Sequence, residues 1–387
     1  MSFRATLSTL AAALVVATSA PALRAQQPGD SLTLKRIFDS DEFSPARFGP
    51  ARWLPDGGYT TVERSADVKG LDIVRYDPSS GRRTVLVDAR RLIPEGHSEP
   101  LIIEDYQWSR DGSRLLVYTN SKRVWRYHTR GDYWVLDLKT GRLRQMGGDV
   151  PASTLMFAKF SPQGDRVAYV HDHDLYVERL SDGQITRLTR GGSLTLINGT
   201  FDWVYEEEFD DRDGFRWSPD GSHIAYWQID ASGERDFLLI NDTDSLYPSI
   251  RRIPYPKVGT TLPAARVGVI PAAGGPTVWA ELPGDPRNNY IPRMDWAADS
   301  KALVLQHMPR AQNTDDVMLV DAATGRARTV YSDHDSTWVD VVDDMAWLDG
   351  GKRFTWVSQK DGWRHVYVVS RDGTHEKLIT PWPYDVV

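Results

Sequence analysis

Six times in this chain an aromatic residue leads into a short turn rich in Pro, Asp and Gly. The copies are Trp53-Leu54-Pro55-Asp56-Gly57, Trp108-Ser109-Arg110-Asp111-Gly112, Phe160-Ser161-Pro162-Gln163-Gly164, Trp217-Ser218-Pro219-Asp220-Gly221, Trp296-Ala297-Ala298-Asp299-Ser300 and Trp347-Leu348-Asp349-Gly350. Most are followed by a strand-like apolar run such as Leu115-Leu116-Val117-Tyr118. A second hairpin signal closes several units, as in Val135 to Gly141, Leu175 to Gly183 and Met318 to Gly325. Asp-Gly and Thr-Gly between alternating apolar runs make hairpins because Gly adopts the positive φ such turns need. From aromatic to aromatic the intervals are 55, 52, 57, 79 and 51 residues. A period near fifty with two hairpins per repeat predicts an all-β fold, a β-propeller of four-stranded blades. The long interval, between Trp217 and Trp296, contains Ile253-Pro254-Tyr255-Pro256 and Gly274-Gly275-Pro276 and predicts an enlarged connection inside that blade.

One stretch departs from this rhythm. Thr200 to Pro219 reads Thr-Phe-Asp-Trp-Val-Tyr-Glu-Glu-Glu-Phe-Asp-Asp-Arg-Asp-Gly-Phe-Arg-Trp-Ser-Pro. Trp203, Val204, Tyr205 and Phe209 can anchor on a core, but Glu206, Glu207 and Glu208 cannot all be buried without partners. At least two of them are expected to face water or a cation.

Other features set bounds. The chain has 387 residues, a net charge of -7 and no basic block, which argues against a nucleic-acid partner. It has no Cys, so neither disulfides nor thiol catalysis are available. Arg4, the apolar run Leu10 to Val16, and small residues at Ala20 and Ala22 form a secretory signal pattern with cleavage expected after Ala22 or Ala25. The expected organisation is a signal peptide over residues 1–25, a lead-in over 26–48 and propeller over 49–387, in an exported, periplasmic or extracellular protein.

From about Leu32 onward the sequence resembles the N-terminal propeller of the dipeptidyl peptidase IV family of serine exopeptidases. Four segments carry the resemblance: Asn198 to Glu208 with its Asp-Trp-Val-Tyr-Glu-Glu-Glu, the Trp217-Ser218-Pro219 turn behind it, Ile253 to Lys257, and Val124-Trp125-Arg126-Tyr127. The resemblance implies that the glutamates lie on a short helical excursion and bind the free N-terminal ammonium of a peptide, through Glu207 and Glu208. Glu206 is left a structural role. Arg126 matches the arginine that contacts the substrate backbone carbonyl. Ammonium offers three donors, and bonds to carboxylates contribute roughly 1.5 to 3 kcal/mol each. Two extended residues span about 7 Å, so a nucleophile held at that reach would cut after the second residue; the resemblance implies release of X-Pro or X-Ala dipeptides. The resemblance also implies an eight-bladed ring, of which six to seven blades would be present, with the chain stopping in mid-blade at Tyr384 to Val387. An unclosed ring exposes strand edges and is expected to associate. The family's Ser, Asp and His triad sits on a C-terminal α/β-hydrolase domain, and no Gly-x-Ser-x-Gly occurs here. The chain is therefore expected to be a fragment, inactive alone, partnered in the full-length protein by its own hydrolase domain and by peptides with a free N-terminus; a homodimer is also compatible. No cofactor or metal is implied. A catalytically silent peptide- or protein-binding propeller and a tripeptidyl peptidase of the same family remain open as alternatives.

Three smaller motifs have plain readings. His171-Asp172-His173-Asp174 is expected to be a hairpin turn rather than a metal site. Arg130-Gly131-Asp132 is expected to make a turn. Asp210, Asp211, Asp213 and Gly214 lack the spacing and the distal Glu of a calcium loop. Trp338-Val339-Asp340 lies near the family's pocket segment, but no pocket residue carries over from it.

Overall fold

The structure, a computed structural model, describes residues 31–40, 42–45 and 48–387. The signal segment and the first residues of the lead-in lie outside the described residues. The chain divides into Met1–Gly49 and Pro50–Val387. In the first unit a short helix, α1 (Leu34–Phe38), starts at Thr33, whose hydroxyl accepts from the Arg36 N–H at 3.1 Å. No helix among the described residues is long and apolar enough to cross a membrane.

The second unit is a propeller: six antiparallel blades in succession, each built from consecutive strands, with the second and third continuous as one eight-stranded sheet. The first has β1 (Ala51–Trp53), β2 (Tyr59–Arg64), β3 (Leu71–Tyr76) and β4 (Arg83–Val87). The next two are β5 (Asp105–Trp108), β6 (Arg114–Arg123), β7 (His128–Asp137) and β8 (Leu143–Gln145), then β9 (Leu155–Phe160), β10 (Arg166–His171), β11 (Asp174–Arg179) and β12 (Ile185–Arg187). In the fourth, the first strand is broken into β13 (Leu196–Asn198) and β14 (Phe215–Trp217), both paired to β15 (His223–Asp230). The long interval carries a separate hairpin, β16 (Asp236–Asn241) and β17 (Ser249–Pro254), before β18 (Ala264–Pro271) and β19 (Val278–Trp279) complete that sheet. The fifth sheet has β20 (Asn289–Tyr290) and β21 (Met294–Trp296) on β22 (Ala302–Pro309), then β23 (Thr314–Asp321) and β24 (Ala327–His334). The sixth has β25 (Trp347–Leu348), β26 (Arg353–Ser358), β27 (His365–Ser370) and β28 (Glu376–Leu378).

The repeated aromatic ends the strand ahead of the turn in the first five blades and opens β25 in the sixth, and the turn behind it delivers the next strand. The turn Asp makes this local. Asp111 and Asp220 accept the backbone N–H of Ser113 and Ser222 at 3.0 and 2.9 Å, and Gly112 and Gly221 supply the positive φ. The aromatics also stitch neighbouring sheets. The indole N–H of Trp108 donates to Thr60, that of Trp217 to the Lys159 carbonyl and that of Trp296 to the Arg216 carbonyl, at 3.0, 3.4 and 3.2 Å. Apolar clusters fill each gap between successive sheets. Ile73 and Val87 share a buried cluster with Leu115 and Val117, Val135 with Val167, Val177 with Ile224, Trp227 with Met294, and Val317 with Trp356. Face-to-face stacking of small twisted sheets through such clusters is what holds a propeller together.

One expectation fails. Arg130-Gly131-Asp132 is the middle of β7, paired to β6 and to β9, and makes no turn. Gly131 is there for close approach. A Cβ would lie 2.3 Å from a Tyr118 ring carbon and 2.8 Å from the Thr119 carbonyl oxygen.

Candidate functional site

Between β13 and β14 the chain leaves the fourth sheet and returns, and α2 (Trp203–Glu208) lies on this excursion. Its base is pinched shut. Gly199 N–H donates to the Trp227 carbonyl, Trp227 N–H to the Gly214 carbonyl, and Gly214 N–H to the Gly199 carbonyl, at 2.9, 3.0 and 3.0 Å. A Cβ on Gly214 would come within 2.7 Å of the Gly199 carbonyl carbon, so only glycine closes this neck. Asp202 caps the helix by accepting the Tyr205 N–H at 3.2 Å.

Tyr205 is the anchor. Its ring is fully buried, stacked on Phe201 at 5.5 Å and tilted against Phe209 at 5.3 Å, and its hydroxyl accepts the Ile291 N–H at 3.0 Å. With that face of α2 fixed, the three glutamates diverge. Glu206 is buried, and burial pushes its carboxyl up to about 7 against the pull of Arg212, 3.9 Å away. Glu207 is only 13% exposed and meets a cation, while Glu208 stands exposed.

The cation on Glu207 is Arg126. It rides the tip of the β6–β7 hairpin, closed by a 3.0 Å bond from the Val124 N–H to the Tyr127 carbonyl. Its Nε lies 2.9 and 2.5 Å from the two Glu207 carboxylate oxygens, and its side chain remains 72% exposed. The sequence-predicted residues Arg126 and Glu207 are thus brought into contact, and Glu208 follows Glu207 on the same helix. Glu208 also borders a cleft of about 960 Å³ with aromatic walls, among them Trp203, Tyr255, Tyr290 and Trp338. Lys257 and Arg310 sit in the same wall.

Several groups around the site were not visible in the sequence. Asp211 pairs with Arg293 at 3.0 Å, yet burial still pushes its carboxyl up to about 8. Asp210 pairs with Arg212, which also faces Glu206, and Asp213 pairs with Lys159. Glu234, at the root of the β16–β17 hairpin, has both carboxylate oxygens buried without a hydrogen-bond partner. Burial first, and Asp202 next, push it up to about 8. Asp202 rises to about 6 by burial. Among the described residues no group of three or more His, Cys, Asp or Glu is arranged to hold a metal ion. His171 to Asp174 forms the β10–β11 turn, with positive φ at Asp172 and His173, and Asp174 is buried against Thr189 and Asn198.

Comparison with known proteins agrees with this fold. The family described as dipeptidyl peptidase IV (DPP IV) N-terminal region matches residues 109–387. Dipeptidyl aminopeptidase B of Saccharomyces cerevisiae is 29% identical, with 94% of this chain and 46% of that protein covered. Dipeptidyl peptidase 4 of Trichophyton rubrum is 27% identical, with 92% and 46% covered. The crystal structure of Porphyromonas gingivalis dipeptidyl peptidase 4 superimposes with a TM-score of 0.81 at 27% identity, over 92% of this chain and 50% of that one. The chain spans about half the length of the curated relatives it matches. By fold, by the matched region and by these relatives, the chain belongs to the dipeptidyl peptidase IV N-terminal region family.

Proposed function

We propose that this chain is the substrate-gating, amine-recognising propeller of an exported serine dipeptidyl aminopeptidase that releases X-Pro or X-Ala dipeptides from peptide N-termini. The observation that supports the reading is the ion pair that Arg126, on the β6–β7 tip, makes with Glu207 on α2, next in sequence to the exposed Glu208. Two carboxylates and one guanidinium match the two ends of a peptide's first residue. The α-ammonium donates to Glu207 and Glu208, and the first carbonyl oxygen accepts from Arg126. Without substrate, Arg126 satisfies Glu207; an arriving ammonium takes over that carboxylate and frees guanidinium N–H groups for the carbonyl. Fixing the amine at one point fixes the distance to the bond that is cut, about two extended residues away. In this reading a Ser, Asp and His hydrolase domain, not contained in this sequence, performs the cleavage. Export rests on the signal pattern of residues 4–25.

The test is charge removal without change of shape. Titrating Ala-Pro amide into the chain, Glu207→Gln and Glu208→Gln should each weaken binding by about tenfold or more, equivalent to about 1.4 kcal/mol. Equal affinities in all three proteins would mean that neither glutamate receives the peptide amine.

A further inference from the structure

The tip that carries Arg126 is held from both sides by arginines that belong to other segments. On one side, Arg212, in the segment leaving α2, lies over the Tyr127 ring with its Cζ 3.7 Å from the centroid. On the other, Arg251 of β17 donates from Nη2 to the Val124 carbonyl at 3.0 Å and places its Cζ 5.2 Å from the centre of the Trp125 ring. Arg126 is the residue between these two pinned rings. Its long side chain is 72% exposed, so little besides the Glu207 pair and the backbone beneath it determines where the guanidinium sits. Long charged side chains lose considerable rotamer freedom when fixed. A backbone held on both flanks lowers the entropy left to lose when substrate binds.

We infer that Arg251, carried by the inserted β16–β17 hairpin, is a positioning residue for Arg126, so that the hairpin sets the geometry of the amine site without touching the substrate. This rests on the reading that Arg126 contacts the peptide. Arg251 acts through a hydrogen bond to the main chain and a cation over a ring, both of which lysine can partly reproduce and alanine cannot. Its neighbour Arg252 reaches Asp236 across the hairpin at 3.3 Å and makes no contact with the tip, which makes it the control.

Two readouts separate the tether from the substrate reading. Hydrogen exchange of the Val124 to Tyr127 amides reports the tip with no ligand present, and titration with Ala-Pro amide reports the site. For Arg251→Ala we expect faster exchange confined to the tip and peptide affinity reduced several-fold, of the order of tenfold. Arg251→Lys should recover most of both losses, and Arg252→Ala should match the wild type in both. Unchanged tip exchange in Arg251→Ala, or an equal change in Arg252→Ala, would overturn the inference. If the wild type fails to bind the peptide at all, the substrate reading falls, and exchange alone then decides whether Arg251 holds the tip.

Discussion

Arg126 and Glu207 are 81 residues apart in sequence and sit on excursions from different blades, yet the Arg126 Nε lies 2.9 and 2.5 Å from the two oxygens of the Glu207 carboxylate. The pair joins a hairpin tip to a helix that has left its sheet. Because the arginine is 72% exposed, the contact contributes little to folding; pairs of this kind are worth about 0 to 1 kcal/mol. In the proposed reading its importance is geometric, since it holds Arg126 beside the carboxylate that receives the ammonium.

Arg126→Ala should therefore separate binding from stability. Thermal unfolding should stay within a few degrees of the wild type, as expected for about 1 kcal/mol or less. Affinity for Ala-Pro amide should fall about tenfold. Calorimetry and titration on the same preparation check both, and a large fall in melting temperature would show that the pair is structural.

Tyr205→Phe should do the reverse. It keeps the ring that packs on Phe201 and Phe209 but removes the acceptor of the buried Ile291 N–H. Leaving that donor unsatisfied is expected to cost about 1 to 3 kcal/mol. Urea denaturation should show the midpoint shifting down with an unchanged slope. An unshifted midpoint would mean that the hydroxyl does not hold α2.

The blade pattern was legible because its causes are local: Asp and Gly fix each turn, and alternation fixes each strand. The enlarged connection after Trp217 was legible for the same reason and is the β16–β17 hairpin. Three identical neighbours, Glu206 to Glu208, could not be told apart by composition. Their separate environments follow from the phase of α2, which Tyr205 sets by reaching Ile291, far along the chain. Arg212 and Arg251 escaped notice because what they hold is the Val124 to Tyr127 tip, distant in sequence. Arg130-Gly131-Asp132 misled because Gly131 serves close packing, and nothing in the tripeptide distinguishes that from a turn.

Stability should fall as pH rises through neutrality. Burial holds the proton on Glu234 up to about pH 8, whereas its ordinary value is 4.5. The folded state thus binds the extra proton, so this contribution is complete below about 4.5 and is lost as pH climbs to about 8. Glu206 and Asp202 shift in the same direction, to about 7 and about 6. Glu234→Gln removes one of these terms, so its melting temperature should decline less than that of the wild type between about pH 5 and 8. Parallel curves for the two proteins would show that Glu234 is not buried as described.

Whether Glu207 and Glu208 grip a peptide ammonium is read most directly from the affinity of the wild-type chain for Ala-Pro amide and for its N-acetylated form across pH. A peptide α-amino group titrates near about pH 8. The free peptide should bind below that value and weaken as pH rises through it, by up to about tenfold per pH unit once the amine is mostly neutral. The acetylated peptide should bind weakly at every pH. Equal binding of both peptides at pH 7 would contradict the ammonium clamp.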